Sequence, residues 1–309
     1  MNISIIIPAY NEESTIAAVM LDFYCYCPEA KIYVIDNNST DKTKDKIHET
    51  INLNTINAHY IFESHKGKGA AIRKAFQIVD SEIIVIVDAD STYSAKDLPG
   101  MISYFISNNI DLLVGDRLST GQYYEENKRI FHGFGNNLVR DTINFLYNSK
   151  INDPMSGYRI LSKKFKNNYT ILYNGFELET DMTIHALDKN LIIHEVPIEY
   201  KDRPAGSYSK LLTYRDGLKV ILVIFNLFRY YKPFHFFIYI SIFLTFLSLL
   251  SGILPVLDFI NYGYVYHVPL AILASSIFIL SMLMAVCGLI LDAIARNNKI
   301  MFYKAWNDV

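Results

Sequence analysis

The residues that decide the fold are Ile83-Ile84-Val85-Ile86-Val87-Asp88-Ala89-Asp90. Five consecutive β-branched apolar residues are typical of a strand buried on both faces of a parallel sheet, and two carboxylates follow where that strand ends. Open α/β sheets bind ligands at this carboxyl edge. Two carboxylates separated by one small residue can turn toward one Mg²⁺ or Mn²⁺ ion, a hard cation that shares its oxygen ligands with substrate phosphates. The stretch therefore indicates a metal–diphosphate site, although a solvated turn after the strand would give the same short motif.

Three similar strands precede this one, and each is followed by polar residues and a helix. The strands are expected over residues 3–8, 31–36 and 59–63, and the helices over 16–23, from residue 42, and over 68–79. Strands that alternate with helices through short loops predict a doubly wound, mostly parallel sheet with right-handed crossovers. The sequence Gly67-Lys68-Gly69 opens the third helix, where glycine permits close backbone approach and a helix N-terminus favours an anion.

The same α/β pattern continues after the two aspartates. A fifth strand is expected over residues 111–115, followed by Asp116-Arg117, and a mixed, helical segment over 125–147. Residues 151–159 are rich in turn formers and lead into a strand near Ile160. A further helix opens at residues 176–182, and a last strand covers 191–200. Together these elements predict one α/β domain over residues 1–210.

Composition excludes several classes of protein. The chain has 309 residues and a net charge of −2 at pH 7, so its charge gives no argument for nucleic acid as a partner. Its cysteines, Cys25, Cys27 and Cys287, show neither a disulfide pattern nor the second ligand pair that a zinc site needs, and we expect them to be reduced. Residues 1–8 have the pattern of a strand, which indicates no cleavable signal peptide.

Apolar residues, 51% of the chain, become denser after Leu211. Residues 211–231 predict an amphipathic helix in the membrane interface, or alternatively a buried globular helix, because polar side chains share one narrow arc: Arg215, Lys219, Asn226 and Arg229. Residues 236–257 and 268–291 contain no charged residue, and each exceeds the roughly 20 apolar residues that cross a bilayer. The expected organisation is an interfacial helix over 211–232 and a membrane domain with two transmembrane helices over 233–309.

Basic residues flank both spans on one side. The connection over residues 258–267 has no Lys or Arg, whereas basic residues precede the first span and follow the second: Lys219, Arg229, Lys232, Arg296, Lys299 and Lys304. The positive-inside rule then predicts a multi-pass protein of the inner or plasma membrane, with the α/β domain and the C-terminus in the cytosol.

Seven short motifs occur in register along residues 3–211. They are Pro8-Ala9-Tyr10-Asn11-Glu12-Glu13, Asp36 within residues 34–41, Gly67-Lys68-Gly69, Asp88-Ala89-Asp90, Gly115-Asp116-Arg117, residues 153–159, and Arg203 with Ser209-Lys210-Leu211. In this order they resemble glycosyltransferase family 2, the inverting enzymes of the GT-A fold, and specifically its membrane-anchored polyprenol-phosphate glycosyltransferases, the dolichol-phosphate mannose synthase-like branch. The two C-terminal spans resemble those of the bacterial members. The resemblance implies a Rossmann-like GT-A catalytic domain followed by an interfacial helix and two transmembrane helices.

The resemblance also implies roles for individual residues. The nucleotide sugar, a UDP- or GDP-sugar, would be bound by Pro8, Ala9, Tyr10, Glu12, Asp36, Lys68, Asp88, Ala89 and Asp90. The phosphate of the lipid acceptor would be bound by Arg117, Arg129, Arg203 and Lys210. Asp90 would be the direct ligand of Mg²⁺ or Mn²⁺, with Asp88 near the ribose or the metal. Several relatives have a glutamine two positions after the second aspartate, where this chain has Thr92.

The implied reaction is inverting transfer of a hexose from a nucleoside-diphosphate sugar to polyprenyl phosphate, either undecaprenyl or dolichyl, for cell-surface glycan modification. The candidate catalytic residues are Asp88, Asp90, Arg117 and Asp153. A phosphate acceptor is ionised near neutral pH, so it needs cations and a metal more than a strong base. The lipid bilayer is an implied partner, and a homo-oligomer is left open.

Two other functions are compatible with the same residues. Transfer of the sugar to a hydroxyl of a lipid-linked oligosaccharide or polysaccharide would make Asp153 a general base. A non-catalytic membrane scaffold that binds nucleotides is the more remote alternative. Glu177 and Glu179 either lie near the sugar, as the resemblance implies, or favour the dipole of the helix that they open.

Overall fold

The computed structural model describes residues 1–119, 130–175, 177–201, 225–226 and 228–307. The chain divides into two compact units, residues 1–221 and 222–308. The predicted boundary between residues 210 and 211 lies outside the described residues, as does most of the predicted interfacial helix over 211–232.

The first unit consists of alternating strands and helices, as the sequence predicts. Its strands are β1 (Ile3–Ala9), β2 (Lys31–Asp36), β3 (Ala58–Phe62), β4 (Ile83–Ile86), β5 (Leu112–Asp116), β6 (Arg159–Ser162) and β7 (Ile193–Pro197). Its helices are α1 (Ile16–Tyr26), α2 (Thr43–Asn54), α3 (Lys68–Ile78), α4 (Leu98–Ser107), α5 (Ile130–Tyr147), α6 (Lys163–Asn168) and α7 (Glu177–Asp188). A short 3₁₀ turn over Ala95–Asp97 precedes α4.

The strands form one seven-stranded sheet in the order β3-β2-β1-β4-β6-β5-β7. β1 pairs in parallel with β2 and β4, β2 pairs in parallel with β3, and β5 pairs in parallel with β7. β6 is antiparallel to both of its neighbours, β4 and β5. The sheet is therefore mostly parallel, as predicted, and the single reversed strand brings the loop before β6 to the edge where the parallel strands end.

The core lies on both faces of this sheet. Ile5 and Ile7 of β1 pack with α1 on one face, and Ile6 of the same strand packs with α3 on the other. All four residues of β4 are buried. A strand covered on both faces reads as a continuous apolar run, which is the pattern that residues 83–87 show.

The second unit contains two long apolar helices, α8 (Pro233–Tyr262) and α9 (Val268–Asn307). They are joined by hydrogen bonds between hydroxyl groups, from Ser281 to Ser241 at 3.1 Å and to Thr245 at 2.6 Å. Asp258 lies near the end of α8 and accepts the backbone N–H groups of Tyr266 and His267, at 3.0 Å each, beside the start of α9. Small hydroxyl residues between helices and capped turns are typical of packing in lipid.

Most of the large apolar side chains on α8 and α9 are exposed in this chain. The described residues contain two helices that are long and apolar enough to cross a membrane, and they include the predicted spans 236–257 and 268–291. The prediction of a mostly parallel α/β sheet followed by two apolar C-terminal helices is therefore confirmed, and the helices indicate membrane association.

Candidate active site

Polar loops from five strands meet at one edge of the sheet. β1, β2 and β4 are parallel, so the loops that follow Ala9, Asp36 and Ile86 leave from the same side. β5 runs in this direction too, because both β4 and β5 are antiparallel to β6. The loop before β6, residues 153–158, therefore enters at the edge that carries the predicted aspartates. Ligands bind at this edge in open α/β sheets.

Lys68 lies between two carboxylates at the start of α3. Its Nζ forms ion pairs with Asp88 Oδ1 and with Glu179 Oε1, the latter at 2.5 Å. Burial alone would lower the pKa of Lys68, but Asp88 and Glu179 outweigh it and raise this pKa, so the side chain is a stable ammonium. The predicted nucleotide ligand Lys68 thus also neutralises Asp88, the first aspartate of the motif.

The α3 N-terminus is closed by the chain itself. Gly67 donates its N–H to Asn37 Oδ1 at 2.6 Å, and Gly69 donates to the carbonyl of Asn174 at 3.1 Å. A Cβ on Gly69 would overlap the carbonyl of Tyr173. The glycines therefore permit the close approach of residues 173–174. This segment lies at the helix end where the sequence predicts an anion.

Asp90 is buried and held by the residue two positions further on. Its Oδ1 accepts the backbone N–H of Thr92 at 3.2 Å and the Thr92 hydroxyl at 2.6 Å. Ser91 between them has a φ of 60°, a left-handed conformation that costs energy for a residue with a Cβ. Thr92 therefore orients the carboxylate predicted to bind the metal.

The predicted nucleotide residues lie at the ends of β1 and β2. Pro8 and Ala9 close β1, and Tyr10 lies under the ammonium of Lys66, 5.4 Å from the ring centre. Glu12 is buried, and its backbone N–H donates to the Thr43 hydroxyl at 2.8 Å.

Asp36 is engaged within the protein. Its Oδ1 accepts the N–H of Ser39 at 3.0 Å, and its Oδ2 accepts the Tyr60 hydroxyl at 3.0 Å. Burial and this bond to Asp36 raise the pKa of Tyr60. Asp36 therefore stabilises the turn after β2 in this structure, and its contact with a nucleotide stays a prediction.

Arg117 and Asp153 form a bidentate pair at the end of β5. The Arg117 Nε donates to Asp153 Oδ2 at 2.7 Å, and Nη2 donates to Oδ1 at 2.8 Å. The backbone N–H of Arg117 also donates to Oδ2, at 3.2 Å. The structure thus brings together two predicted catalytic residues and makes them partners of each other. The other predicted phosphate ligands, Arg129, Arg203 and Lys210, lie outside the described residues.

The donor set suits a hard divalent cation that completes its shell with substrate oxygens. Asp88 and Asp90 offer carboxylate oxygen, which Mg²⁺ and Mn²⁺ prefer. Within the described ranges no three His, Cys, Asp or Glu side chains are grouped so that they could hold a metal ion by themselves. A cation at Asp90 and Asp88 would therefore complete its shell with water and with the oxygens of a bound diphosphate.

The structure adds three residues that the sequence reasoning did not assign to the site. Arg159 is 1% exposed and shapes the loop before β6, donating to the carbonyls of Pro154 at 2.7 Å and Ser156 at 2.8 Å. Glu179, left open by the sequence, lies beside Lys68, and its Oε2 has no hydrogen-bond partner in the part of the chain that is described. Glu195 on β7 accepts two backbone N–H groups of the same loop. The sequence offers one signal for Glu195, which is the single carboxylate within the short strand over residues 193–197.

The chain is similar in sequence to known glycosyltransferases. The profile described as "Glycosyl transferase family 2" matches residues 4–169. Glycosyltransferase AglJ of Haloferax volcanii is 29% identical over 241 residues, which cover 76% of this chain and 75% of that protein. Polyprenol monophosphomannose synthase of Mycolicibacterium smegmatis is 24% identical, over 65% of this chain and 78% of that protein. Dolichol-phosphate mannosyltransferase of Pyrococcus furiosus is 26% identical, over 68% and 59%.

Among solved structures, glucosyl-3-phosphoglycerate synthase from Mycobacterium tuberculosis has the same fold. The match has a TM-score of 0.56 at 20% identity and covers 74% of this chain and 78% of that one. That structure is a complex with Mn²⁺, UDP and glucosyl-3-phosphoglycerate. At this identity the likeness shows the fold alone.

Proposed function

Because this chain belongs to glycosyl transferase family 2, we propose that it transfers a hexose from a nucleoside-diphosphate sugar to the phosphate of a polyprenyl phosphate. The observation that carries this proposal is the pair of apolar helices, of 30 and 40 residues, in the same chain as the glycosyltransferase domain. A polyprenyl tail stays in the bilayer, so the enzyme that uses it must work at the membrane surface. Two of the relatives are named for polyprenol- or dolichol-phosphate substrates.

The proposed reaction is a single displacement. An oxygen of the acceptor phosphate attacks the anomeric carbon, the bond from that carbon to the diphosphate breaks, and the nucleoside diphosphate leaves with inversion. The acceptor needs no base because it is already ionised, but it must be held beside a second anion by cations. Arginine binds phosphate in a fixed planar geometry, which supports Arg117 as a ligand of the acceptor phosphate. From the sequence alone, Arg129, Arg203 and Lys210 would supply further positive charge to the acceptor site.

Asp90 and Asp88 would hold Mg²⁺ or Mn²⁺ on the donor side. The cation would neutralise negative charge on the departing diphosphate. Thr92 fixes the orientation of Asp90, and Lys68 holds Asp88 in place through an ion pair. Glu12, Asp36, Tyr10, Pro8 and Ala9 would form the wall for the nucleoside, whose base can be uracil or guanine.

Transfer to a hydroxyl is the second candidate, and the state of Asp153 argues against it. A general base must accept a proton from the acceptor, yet both carboxylate oxygens of Asp153 already accept N–H groups of Arg117. The phosphate acceptor is favoured because it does not require Asp153 to be free.

The test compares two acceptors with identical tails. The purified full chain in detergent, with Mg²⁺ or Mn²⁺ and a panel of labelled UDP- and GDP-hexoses, is given either undecaprenyl phosphate or undecaprenol. We expect one donor to give an acid-labile glycosyl lipid with the phosphate acceptor alone. Transfer to undecaprenol or to a lipid-linked oligosaccharide at an equal or higher rate would replace the proposal with the hydroxyl-acceptor function.

A further inference from the structure

Glu195 lies in the middle of β7, and its carboxylate holds a loop of the active-site edge. Oε1 accepts the backbone N–H of Asp153 at 2.8 Å, and Oε2 accepts the N–H of Asn152 at 2.7 Å. The two oxygens of one carboxylate thus fix two consecutive peptide groups. Hydrogen bonds to an ionised acceptor are roughly twice as strong as neutral ones.

The loop that Glu195 holds carries the partner of Arg117. The Asp153 side chain accepts three N–H groups of Arg117, at 2.7, 2.8 and 3.2 Å. The Asn152 side chain donates to Asp116 Oδ2 at 3.3 Å, next to Arg117 in the chain. Glu195 therefore sets the position of the guanidinium through one intermediate residue, without touching it.

The location of Glu195 is unfavourable for a carboxylate. Burial raises the pKa of Glu195 to about 7, and the nearby charges of Asp116 and Asp153 act in the same direction, against the two backbone N–H groups. A partly buried acid beside two others costs folding stability, so stability alone does not account for it. The contacts that it makes in return all lead to the Asp153–Arg117 pair.

We propose that Glu195 is a positioning residue for the acceptor phosphate, which fixes the 152–153 backbone and thereby holds the Arg117 guanidinium in its binding orientation. This inference rests on the proposed function of the site. Glu195 itself touches no substrate in this scheme, and the donor side of the site, around Asp90 and Lys68, does not depend on it.

The test replaces Glu195 and a nearby control in the full chain. Glu195→Gln keeps one acceptor oxygen but points an NH₂ group at the other peptide N–H. We expect the apparent KM for undecaprenyl phosphate to rise about tenfold, the scale of one lost charge-assisted hydrogen bond, while the donor KM changes less than about twofold. Glu199→Gln makes the same chemical change at an exposed site just beyond β7 and should leave both values unchanged. Equal rises in donor and acceptor KM would overturn the proposal, because they would mean a general loss of structure.

Hydrogen exchange of the substrate-free protein separates this inference from the proposed function. The amides of Asn152 and Asp153 should lose protection by about tenfold or more in Glu195→Gln and keep it in Glu199→Gln. Unchanged protection would refute the positioning role whatever the acceptor is. Lost protection in a protein that never glycosylates a polyprenyl phosphate would refute the phosphate-specific role and the proposed function, but not the contact.

A double-mutant cycle tests whether Glu195 acts through Asp153. Once Asp153→Ala has released Arg117 from the loop, Glu195→Gln should raise the acceptor KM by less than about twofold further, because coupled sites are not additive. If instead the double variant shows the product of the two single-variant effects on the acceptor KM, Glu195 acts independently of Asp153, which contradicts the proposal.

Discussion

Replacing Lys68 tests whether the donor side of the site is held by one buried ammonium. Its side chain is 15% exposed and lies between Asp88, 29% exposed, and Glu179, 6% exposed. Lys68→Met keeps the length and the apolar stem but leaves two carboxylates facing each other. Removing one partner of a buried ion pair costs about 3–5 kcal/mol, and the partial exposure of Asp88 places this case near the lower end.

The expected loss of unfolding free energy can be converted to a change in melting temperature. For a unit of 221 residues, about 1 kcal/mol corresponds to about 2–4 °C, so the variant should melt about 6–12 °C below the wild type at pH 8. The measurement is thermal unfolding of the full chain in detergent at pH 8.

Two companion variants decide the interpretation. Lys66→Met removes an exposed lysine two residues earlier and should shift the melting temperature by less than about 2 °C, the range of ordinary surface changes. Lys68→Met combined with Glu179→Gln should recover at least about half of the loss, because it removes the more buried charge. A Lys68→Met shift no larger than that of Lys66→Met would refute the buried-ammonium account.

Three further outcomes follow from the site and the membrane helices. Asp90→Asn should lower turnover by at least about two orders of magnitude, and EDTA should abolish wild-type turnover with recovery on Mg²⁺ or Mn²⁺; full activity in EDTA would make the acidic pair structural. Because the pKa of Glu195 is raised from 4.5 to about 7 by burial, this group contributes stability below pH 4.5 that is lost as the pH rises to 7. The unfolding free energy of Glu195→Gln relative to wild type should therefore improve by on the order of 3 kcal/mol between pH 4.5 and 8, and a gap that is constant with pH would contradict the shift. A cysteine at Asn261 should label from outside intact cells while one at Asn307 does not, and equal labelling would rule out the predicted orientation.

The sequence predicts the sheet well because its signals are local. Runs of β-branched residues such as 83–87 identify buried strands, and the position of each polar group after a strand is visible in the chain itself. The direction of β6 is not local information, since a strand of four residues carries no mark of parallel or antiparallel pairing. That direction is what brings residues 153–158 to the active-site edge.

The pairing of charges could not be predicted because it joins distant segments. Lys68 and Glu179 meet only after α3 and α7 have packed against the same sheet. Glu177 and Glu179 are two residues apart on one helix, which places them about 200° apart around its axis. One glutamate therefore faces the protein while the other turns away. The structure shows that Glu179, 5% exposed, is the inward one, a choice that the helical pattern alone leaves open.

The charges at the described part of the active-site edge explain why a metal and further cations are required for the proposed chemistry. Acidic side chains outnumber basic ones there: Glu12, Asp36, Asp88, Asp90, Asp116, Asp153, Glu179 and Glu195 lie with Lys68, Arg117 and Arg159. Lys68 and Arg117 are each paired with carboxylates, so their charge is largely neutralised before any substrate arrives. A donor diphosphate and an acceptor phosphate would add further negative charge to this edge. The edge is therefore suited to two anions when a divalent cation lies at Asp90 and Asp88 and when residues beyond the described ranges, Arg129, Arg203 and Lys210, supply positive charge to the acceptor.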